Sequence, residues 1–407
     1  MKKIMINIGI IGGGPAGLMA AITAKSKNNN ITILESNPQI GKKLMITGGG
    51  RCNITNVCPY DQFLQNVVRN KKFIYSCFNK FDNFALMENL RNEGIELISE
   101  EDGRAFPKSQ DAGEIVDFFY KKIVDLGIDL KTNSKVLAVE KNDKFIVKTK
   151  DNKYIFDALI IATGGKSYKI TGSDGSGYKI AEDLGHKIIE TRPVLVPIFI
   201  KDKLPVKALS FDNISLYAKT KTDEINIEGP LMINSNFITG PLVLKASSLL
   251  DGKKIDQMSI DFFNDLSCND LDKLLVNQIE KYSKKTIANV LKTLISDSLV
   301  DFILDRLSID KNVFASYLKK DTRNLIVKSL KEFKLTFDRY GGFGNAVVTR
   351  GGVDVKEINP TNMMSKKIEN LFFVGEIIDV DSLTGGYNLQ IYLSTAFACG
   401  KYIKENL

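Results

Sequence analysis

The sequence predicts an α/β protein in which a Rossmann-type domain is interrupted by a middle insertion and completed by the C-terminal residues. A strand, a glycine turn, a helix and a second strand open the chain, and buried strands that end at glycine clusters recur near residues 160 and 372. Such alternation is typical of α/β domains. After Pro193, short strand-like runs and then a lysine- and leucine-rich helical stretch replace this pattern. The predicted segments are 1–192 for the first part of the domain, 193–265 for a β-rich domain, 266–334 for a helical insertion, and 335–407 for the C-terminal part.

The elements of the first segment follow from the spacing of apolar residues and glycines. Residues 3–11 form an apolar run that predicts the first strand, and an alanine-rich helix from Leu18 to Lys27 and a strand Ile31–Leu34 come next. Residues 60–92 have amphipathic helical spacing. The remaining predicted elements are strands near 95–98, 135–140, 144–149 and 154–162, helices near 113–126 and 178–184, a strand 371–374 and a closing helix to about Ile403.

Length and composition place the chain among ordinary globular proteins. With 407 residues, 43% of them hydrophobic and 26% charged, it is long enough for two or three domains and too apolar for a disordered chain. It contains no run of about 18 uncharged apolar residues, so we expect no transmembrane helix. The N-terminal residues resemble a signal peptide, but Asn7 interrupts the apolar run and no cleavage site follows.

Cysteine and histidine usage argues against metal and disulfide chemistry. The 5 cysteines include no CxxC pair, which disfavours a disulfide framework or a zinc site and favours a reducing cytoplasm. The single histidine, His186, excludes a multi-histidine metal site, and we expect it to pack or to cap a helix end.

The formal net charge of +8 leaves two interpretations open. The lysines are either solvated surface residues that reflect compositional bias, or they attract an anionic partner such as RNA. Lysines of the helical insertion that would form a phosphate-facing surface are Lys281, Lys284, Lys285, Lys292, Lys319 and Lys320.

The first glycine cluster carries a dinucleotide-binding pattern. Gly12, Gly14 and Gly17 follow the first strand in the spacing G-x-G-x-x-G and open a helix, and Glu35 ends the second strand 18 residues beyond Gly17. These glycines would permit a tight turn, close approach of a pyrophosphate, and packing of the helix on the strand, and an acid at the strand end suits a ribose diol.

Three further clusters favour FAD over NAD. Strands run into Ala162-Thr-Gly-Gly165 and into Gly375-Glu376, and Gly385-Gly-Tyr-Asn-Leu-Gln390 opens the last helix. Each cluster by itself is compatible with ordinary strand–turn packing. Together they indicate a long, extended cofactor, with the dipole of the last helix directed at the pyrimidine side of a flavin.

Five segments carry a family resemblance. They are Thr47-Gly-Gly-Gly-Arg-Cys-Asn53, Gly103-Arg-Ala-Phe-Pro107, Ala162-Thr-Gly-Gly165, Val348-Thr-Arg-Gly-Gly-Val353 and Gly375-Glu376 with Thr384-Gly-Gly-Tyr-Asn-Leu-Gln390. They resemble, in order and over the whole chain, the YhiN/BaiN/RdsA family of FAD-dependent oxidoreductases, also described as aminoacetone-oxidase-like. The resemblance implies a glutathione-reductase-like FAD domain, interrupted by a β-rich domain and a small helical domain, and NADH or NADPH as electron donor. No second nucleotide fingerprint is found for that donor.

The sequence departs from the family pattern at two places. Lys169 stands where the family usually has proline, and Asp174 and Ser176 replace a threonine and an aspartate. Ser235 stands where relatives have a histidine, so any role of that histidine is in doubt here.

We expect the FAD site to combine the first motif, the loop 41–53 and the later glycine clusters. The expected cofactor-binding residues are Gly12, Gly14, Pro15, Ala16, Gly17, Glu35, Lys43, Gly49, Gly50, Arg51, Cys52, Asn53, Ala162, Thr163, Gly164, Gly165, Gly375, Glu376, Gly386, Tyr387, Asn388 and Leu389. Arg51 and Cys52 are also the catalytic candidates, since a guanidinium can neutralise a reduced flavin or orient a substrate and a thiol can donate a proton. The alternative is that their loop only holds FAD and that Cys52 is a small packed residue.

Three functions remain open. Family members include an enzyme that reduces a uridine of 23S ribosomal RNA to dihydrouridine, ene reductases of steroids, and an amine oxidase. We therefore weigh NAD(P)H-dependent reduction of an activated C=C bond in ribosomal RNA against turnover of a small metabolite. A non-catalytic flavin-binding protein is the third alternative. No membrane or metal partner is expected.

Overall fold

The computed structural model describes residues 5–407, and the chain divides into two units. One unit comprises the residues up to Pro193 together with Phe343–Leu407, and the other comprises Val194–Gly342. Residues 3 and 4 of the predicted first strand lie outside the described residues.

Among the described residues, twelve strands and six helices come before the main part of the inserted unit. The strands are β1 (Ile6–Ile11), β2 (Asn29–Leu34), β3 (Thr55–Asn56), β4 (Val67–Arg69), β5 (Leu97–Ser99), β6 (Arg104–Pro107), β7 (Asp129–Lys131), β8 (Val136–Lys141), β9 (Phe145–Thr149), β10 (Lys153–Phe156), β11 (Ala158–Ile161) and β12 (Ile188–Val194). The helices are α1 (Pro15–Ala24), α2 (Tyr60–Gln65), α3 (Lys71–Lys80), α4 (Asn83–Asn92), α5 (Ala112–Asp125) and α6 (Ser176–Asp183).

The inserted unit contributes the next strands and helices. They are β13 (Ile198–Ile200), β14 (Leu209–Lys219), β15 (Glu224–Ile233), β16 (Phe237–Thr239), α7 (Pro241–Leu249), β17 (Gln257–Asp261), α8 (Cys268–Lys281), α9 (Ile287–Leu291), α10 (Asp297–Arg306), α11 (Lys320–Lys331), β18 (Phe333–Leu335) and β19 (Phe337–Tyr340). The C-terminal part adds β20 (Val348–Val353), β21 (Leu371–Phe373), β22 (Asp381–Ser382) and α12 (Tyr387–Asn406).

A five-stranded parallel sheet forms the centre of the first unit. Its order is β21-β11-β1-β2-β7, so the last strand of the sheet in sequence pairs with β11 at one side. Consecutive residues of β11, such as Leu159 and Ile160, are fully buried. Both faces of the sheet are therefore covered, as is usual in doubly wound folds. The predicted Rossmann-type α/β fold is confirmed.

Three predicted elements differ in the structure. Residues 60–92, predicted to be helical, form α2, the short strand β4, α3 and α4. The strand predicted over 154–162 is two strands, because the chain passes at Asp157 from the antiparallel pair β9–β10 to the parallel sheet. The Asp157 carboxylate and backbone N–H both bond to Asn7 of β1 and fix this break. Helix α1 begins at Pro15, three residues before the predicted start, because proline is well tolerated in the first turn.

The inserted unit has a core of its own around a seven-stranded antiparallel sheet. Its order is β18-β17-β14-β15-β16-β13-β19, and helices α8 to α11 supply further buried residues such as Leu275 and Ile303. Strand β18 pairs with β17 through Phe333 and Leu335, both nearly fully buried. Residues 335–342 therefore belong to the inserted unit, whereas the sequence predicted that they begin the C-terminal part. None of the helices within residues 5–407 is both long and apolar enough to cross a membrane.

The closeness of β10 to β1 gives a test of the fold. A Cβ added to Gly9 would lie 2.3 Å from Cδ2 of Phe156, so we expect Gly9→Ala to reduce the free energy of unfolding by about 1–3 kcal/mol through overpacking. Gly344→Ala is the control, because its Cβ would meet no atom within 4 Å. Chemical denaturation measures both, and equal stabilities of the two variants would contradict this packing.

Candidate active site

Three parallel strands end side by side and bring distant glycines together. Gly12 follows β1, and its added Cβ would lie 2.5 Å from the carbonyl oxygen of Ala162, which follows β11. Gly375 lies beyond β21, and its added Cβ would lie 2.8 Å from Cβ of Ala16 in α1. Both glycines have left-handed backbone, with φ of 109° and 81°. The segments therefore meet at a distance that side chains would prevent.

The first turn of α1 is open to an anionic ligand. Gly14 precedes Pro15 and no side chain caps the helix start. A Cβ on Gly14 would meet no atom within 4 Å, whereas a Cβ on Gly17 would lie 2.0 Å from the Gly12 carbonyl oxygen. Gly17 thus serves packing, and Gly14 leaves room beside backbone N–H groups that have no helical acceptor. This combination fits a pyrophosphate.

Glu35 is fixed beside the glycine turn. It follows β2, is 7% exposed, and accepts hydrogen bonds from the backbone N–H groups of Gly13 and Asn37, each at 2.7 Å. The Asn37 side-chain amide donates a further bond at 2.8 Å. The carboxylate is thereby held at the end of the strand where a ribose diol would be recognised.

Glu376 is the centre of a buried polar cluster. Its carboxylate pairs with Lys43 Nζ at 2.7 Å and accepts from Ser167 Oγ at 3.0 Å and from the Thr349 backbone N–H at 2.9 Å. Lys43 also donates to Ser167 Oγ at 2.6 Å. An added Cβ on Gly165 would lie 2.5 Å from Thr349 Oγ1 and 2.9 Å from Glu376 Oε1. Gly165 therefore cannot carry a side chain without displacing this cluster.

Three consecutive glycines in the loop after Lys43 have left-handed backbone. Gly48, Gly49 and Gly50 have φ of 58°, 70° and 88°. A Cβ on Gly49 would meet nothing within 4 Å, so this part of the loop borders open space. The Arg51 guanidinium donates to Glu100 at 2.7 Å and to Gln110 at 3.0 Å. It also lies 4.1 Å from the centre of the Phe106 ring. Arg51 therefore anchors the loop to β6 and its neighbours.

Cys52 belongs to the same loop, and its side chain packs into the hydrophobic core. Its side chain is fully buried, and its backbone φ is 60°. Burial raises the pKa of the Cys52 thiol to about 12, and a hydrogen bond with Thr47 offsets the rise only in part. A thiol with such a pKa is a weak proton donor near neutral pH, so this environment favours the packed-residue alternative.

The start of α12 is tied to the same loop. Gly386 has φ of 93°, and its added Cβ would lie 2.3 Å from the Thr55 carbonyl oxygen. Asn53 accepts from the Gly386 N–H and donates to the Thr55 carbonyl, both at 3.0 Å. No side chain caps the helix start. The N–H groups of its first turn are therefore available to a flavin carbonyl.

Tyr387 and Asn388 are occupied by protein contacts. The Tyr387 ring packs edge-on against Phe63 at 5.1 Å, and burial raises the pKa of its hydroxyl. The Asn388 side chain bonds to the backbone N–H and carbonyl of Ser382, each at 2.9 Å. Both residues shape the turn before α12, and Leu389 beside them is half-buried.

Sequence reasoning missed a buried ion-pair cluster. Arg350 and Asp381 are 5% and 0% exposed, with nitrogen–oxygen distances of 2.7 to 3.2 Å between guanidinium and carboxylate. Arg69 pairs with the buried Asp379 at 2.6 Å. The only sequence signal was the position of Arg350 inside a family segment, because nothing local indicates that Asp381 is its partner.

Two buried hydroxyls provide a test of whether FAD fits. Thr163 Oγ1 and the Tyr392 hydroxyl have no hydrogen-bond partner among residues 5–407. Thr163 follows β11 and is next to Gly164. Tyr392 lies near Gly375, because a Cβ added to Gly375 would be 3.9 Å from the Tyr392 Cβ. The Thr163 hydroxyl lies against α6, because a Cβ on Gly177 would be 1.8 Å from it. The fit therefore depends on the open helix starts and on the room at Gly14 and Gly49, which suit a long ligand rich in hydrogen-bonding groups.

His186 and Ser235 lie in different environments. His186 is buried, its Nε2 lies 2.7 Å from Ser365 Oγ, and burial lowers its pKa. Ser235 lies exposed in the turn between β15 and β16. Within the described residues, no group of three or more His, Cys, Asp and Glu side chains is arranged to hold a metal.

Solved structures share this fold. A 3-ketosteroid-Δ4-(5α)-dehydrogenase from Rhodococcus jostii matches with a TM-score of 0.50 and 12% identity, covering 98% of this chain and 97% of the other. The Mycobacterium smegmatis Sdh1 complex matches with a TM-score of 0.51 and 14% identity, covering 100% and 70%. Identities this low show the fold alone.

The family model described as the HI0933-like protein Rossmann domain matches residues 6–402, so the chain belongs to this family of FAD-dependent oxidoreductases. The predicted family and the prediction of an enzyme are confirmed. Similar proteins are a Clostridium scindens 3-dehydro-bile acid delta(4,6)-reductase, 28% identical over 98% of this chain and all of the relative, and a Haemophilus influenzae ribosomal RNA dihydrouridine synthase, 29% identical over all of both.

Substitution of Gly14 tests FAD binding independently of folding. We expect Gly14→Ala to weaken FAD binding by at least about tenfold, since its methyl group would occupy the room left for the pyrophosphate. The thermal stability of the apoprotein should stay unchanged, because that methyl group meets no protein atom within 4 Å. Flavin fluorescence titration and apoprotein melting measure the two effects. Unchanged FAD affinity in the variant would place the pyrophosphate elsewhere.

Proposed function

We propose that this enzyme uses NADH or NADPH to reduce a C=C bond that is conjugated with a carbonyl group, and that its substrate is a uridine of 23S ribosomal RNA. The bond would be the one between C5 and C6 of the uracil ring. We also propose a cytoplasmic location, where such a substrate is found.

The observation that carries this proposal is full-length similarity to ribosomal RNA dihydrouridine synthases. The Haemophilus influenzae relative is 29% identical, and one from Escherichia coli is 27% identical over 96% of both chains. The bile acid relative is named for reduction of double bonds in a 3-dehydro compound. Both names describe the addition of two hydrogens to a C=C bond conjugated with a carbonyl, which supports this reaction class for the present chain.

The residues of the site have distinct roles in this proposal. Bound FAD would supply the means of hydride transfer from NADH or NADPH to the substrate. The open start of α1 would hold the pyrophosphate, and Glu35 the adenosine ribose. Lys43 and Glu376 would bond to the polar groups of FAD that lie between the pyrophosphate and the flavin ring. The start of α12 at Gly386 would place its partial positive charge at the pyrimidine side, where a reduced flavin gains negative charge.

The charge distribution of the inserted unit favours RNA over a small metabolite. Of the six lysines named from the sequence, Lys292 pairs with Asp297 at 3.2 Å. The other five form no ion pair with any residue within 5–407. Unpaired lysines are available to phosphates.

A small metabolite is the second candidate substrate. The bile acid reductase supports it, because it is similar over its entire length at 28% identity. An ene reductase or amine oxidase of this kind would turn over the free compound without RNA, and its substrate binding would depend little on salt.

Deletion of the gene from its host tests the proposed function. We expect mass mapping of 23S ribosomal RNA to show that one dihydrouridine reverts to uridine, and that the plasmid-borne gene restores it. The purified enzyme should be bleached by NADH or NADPH without oxygen and reoxidised by unmodified ribosomal RNA. Unchanged dihydrouridine in the deletion strain would reject the RNA substrate, and reoxidation by a steroid enone would then favour the second candidate.

Cys52→Ser tests whether Cys52 is only a packed residue. Because the thiol has a pKa of about 12, it stays protonated throughout the range from about pH 6 to 9. We expect the substitution to change kcat by less than about threefold and to leave the shape of the pH–rate profile unaltered. A loss of about 100-fold or more, with FAD still bound, would make Cys52 the proton donor after all.

A further inference from the structure

An exposed aromatic pair lies among the lysines of the inserted unit. Phe314 and Tyr317 are 50% and 77% exposed, and their ring centres lie 6.2 Å apart at 89°. The short 3-10 turn Ala315–Tyr317 holds the two residues next to one another. Large aromatic surfaces left in water are characteristic of binding sites.

Backbone pairing joins this turn to a second lysine-rich segment. The N–H of Ala315 donates to the Lys285 carbonyl at 3.0 Å, and the N–H of Ile287 donates to the Val313 carbonyl at 2.9 Å. Thr286 and Phe314 form an antiparallel bridge. We define the aromatic–lysine patch as Tyr282, Lys284, Lys285, Phe314, Tyr317 and Lys319.

The two segments of the patch are locally rich in positive charge. Residues 281–285 and 311–320 contain six lysines and no acidic residue. None of the six forms an ion pair with a residue within 5–407. The Nζ atoms of Lys281 and Lys285 lie 5.3 and 4.6 Å from the centre of the Tyr282 ring. Aromatic rings therefore lie beside ammonium groups that are not paired with carboxylates of the described residues.

We infer that the aromatic–lysine patch binds unpaired nucleotides of an RNA substrate, with bases stacked on the exposed ring of Tyr317 and phosphates contacted by Lys284, Lys285 and Lys319. This inference rests on the proposed function. Single-stranded RNA presents both a negative backbone and base faces, and stacking on aromatic side chains is the usual means of holding splayed bases. An acidic protein would match the charge, but it would not need exposed rings.

Binding of labelled RNA to the FAD-loaded enzyme tests the inference. The probes are a fluorescein-labelled single-stranded 12-mer of mixed sequence and a duplex of the same sequence. We expect Tyr317→Ala to weaken single-strand binding by about 5- to 100-fold and duplex binding by less than about twofold. Tyr317→Phe keeps the ring and should bind like the wild type. Phe84→Ala is the matched control, because Phe84 is an aromatic residue of the other unit with 51% exposure.

Lysine substitutions give an independent readout. We expect Lys284→Ala with Lys285→Ala to lower the slope of log affinity against log salt by about 0.7 for each phosphate that the variant no longer binds. Lys273→Ala should change nothing, since Lys273 pairs with Asp270 at 3.0 Å. Bleaching by NADH or NADPH and an unchanged melting temperature would show that all variants are folded.

The outcomes separate this inference from the proposed function. Equal single-strand affinities of wild type and Tyr317→Ala, or polyglutamate binding with the same sensitivity to Tyr317→Ala, would overturn the RNA patch even if the deletion strain loses its dihydrouridine. Conversely, a deletion strain with unchanged dihydrouridine rejects the proposed function, while single-strand binding that depends on Tyr317 would still support the patch.

Discussion

The buried carboxylate of Glu376 is the interaction on which the candidate site depends. A carboxylate that is 5% exposed must be paired, and its partners are Lys43, 333 residues away in sequence, Ser167, 209 away, and the backbone of Thr349. This pairing joins the end of β21 to the loop 41–53, to the turn after β11 and to β20. Gly165 has to be glycine because this cluster leaves no space for a methyl group. The glycine at position 165 is thus a consequence of how the carboxylate is satisfied.

Several polar groups in the same unit have no hydrogen-bond partner within the described part of the protein. The start of α1 and the start of α12 have no side-chain caps, and the hydroxyls of Thr163 and Tyr392 have no partner among residues 5–407. The open helix starts lie beside the ends of the parallel strands, and their N–H groups suit a ligand that accepts hydrogen bonds there. The ion pair of Arg350 and Asp381 supports the same region, because a bidentate contact between two buried charges restricts both side chains.

The residues proposed to bind FAD and those proposed to bind RNA belong to different units of the chain. All residues assigned to FAD belong to the unit formed by residues up to 193 and from 343 onward, whereas the aromatic–lysine patch belongs to the unit 194–342. Each function can therefore be altered by substitution while the other is measured. Arg51 and Cys52 illustrate that neighbours in sequence can have different roles, since the Arg51 side chain reaches the partly exposed Glu100 and the Cys52 side chain is enclosed in the core.

The sequence by itself determined the Rossmann-type fold, the glycine motif with its acid at Glu35, the family and the enzyme class. These features depend on local spacing, since a strand, a turn and a helix follow from residues within about 30 positions of one another. It also predicted that distant glycine clusters serve one cofactor, and the structure brings Gly12, Ala162 and Gly375 to one edge of the sheet. Only the tertiary structure decided the partners of Glu376 and Arg350, the direction of Arg51, the break at Asp157, and the place of residues 335–342 in the inserted sheet. Those outcomes depend on packing between segments far apart in sequence, and residue spacing carries no information about which of several charged or apolar groups will meet.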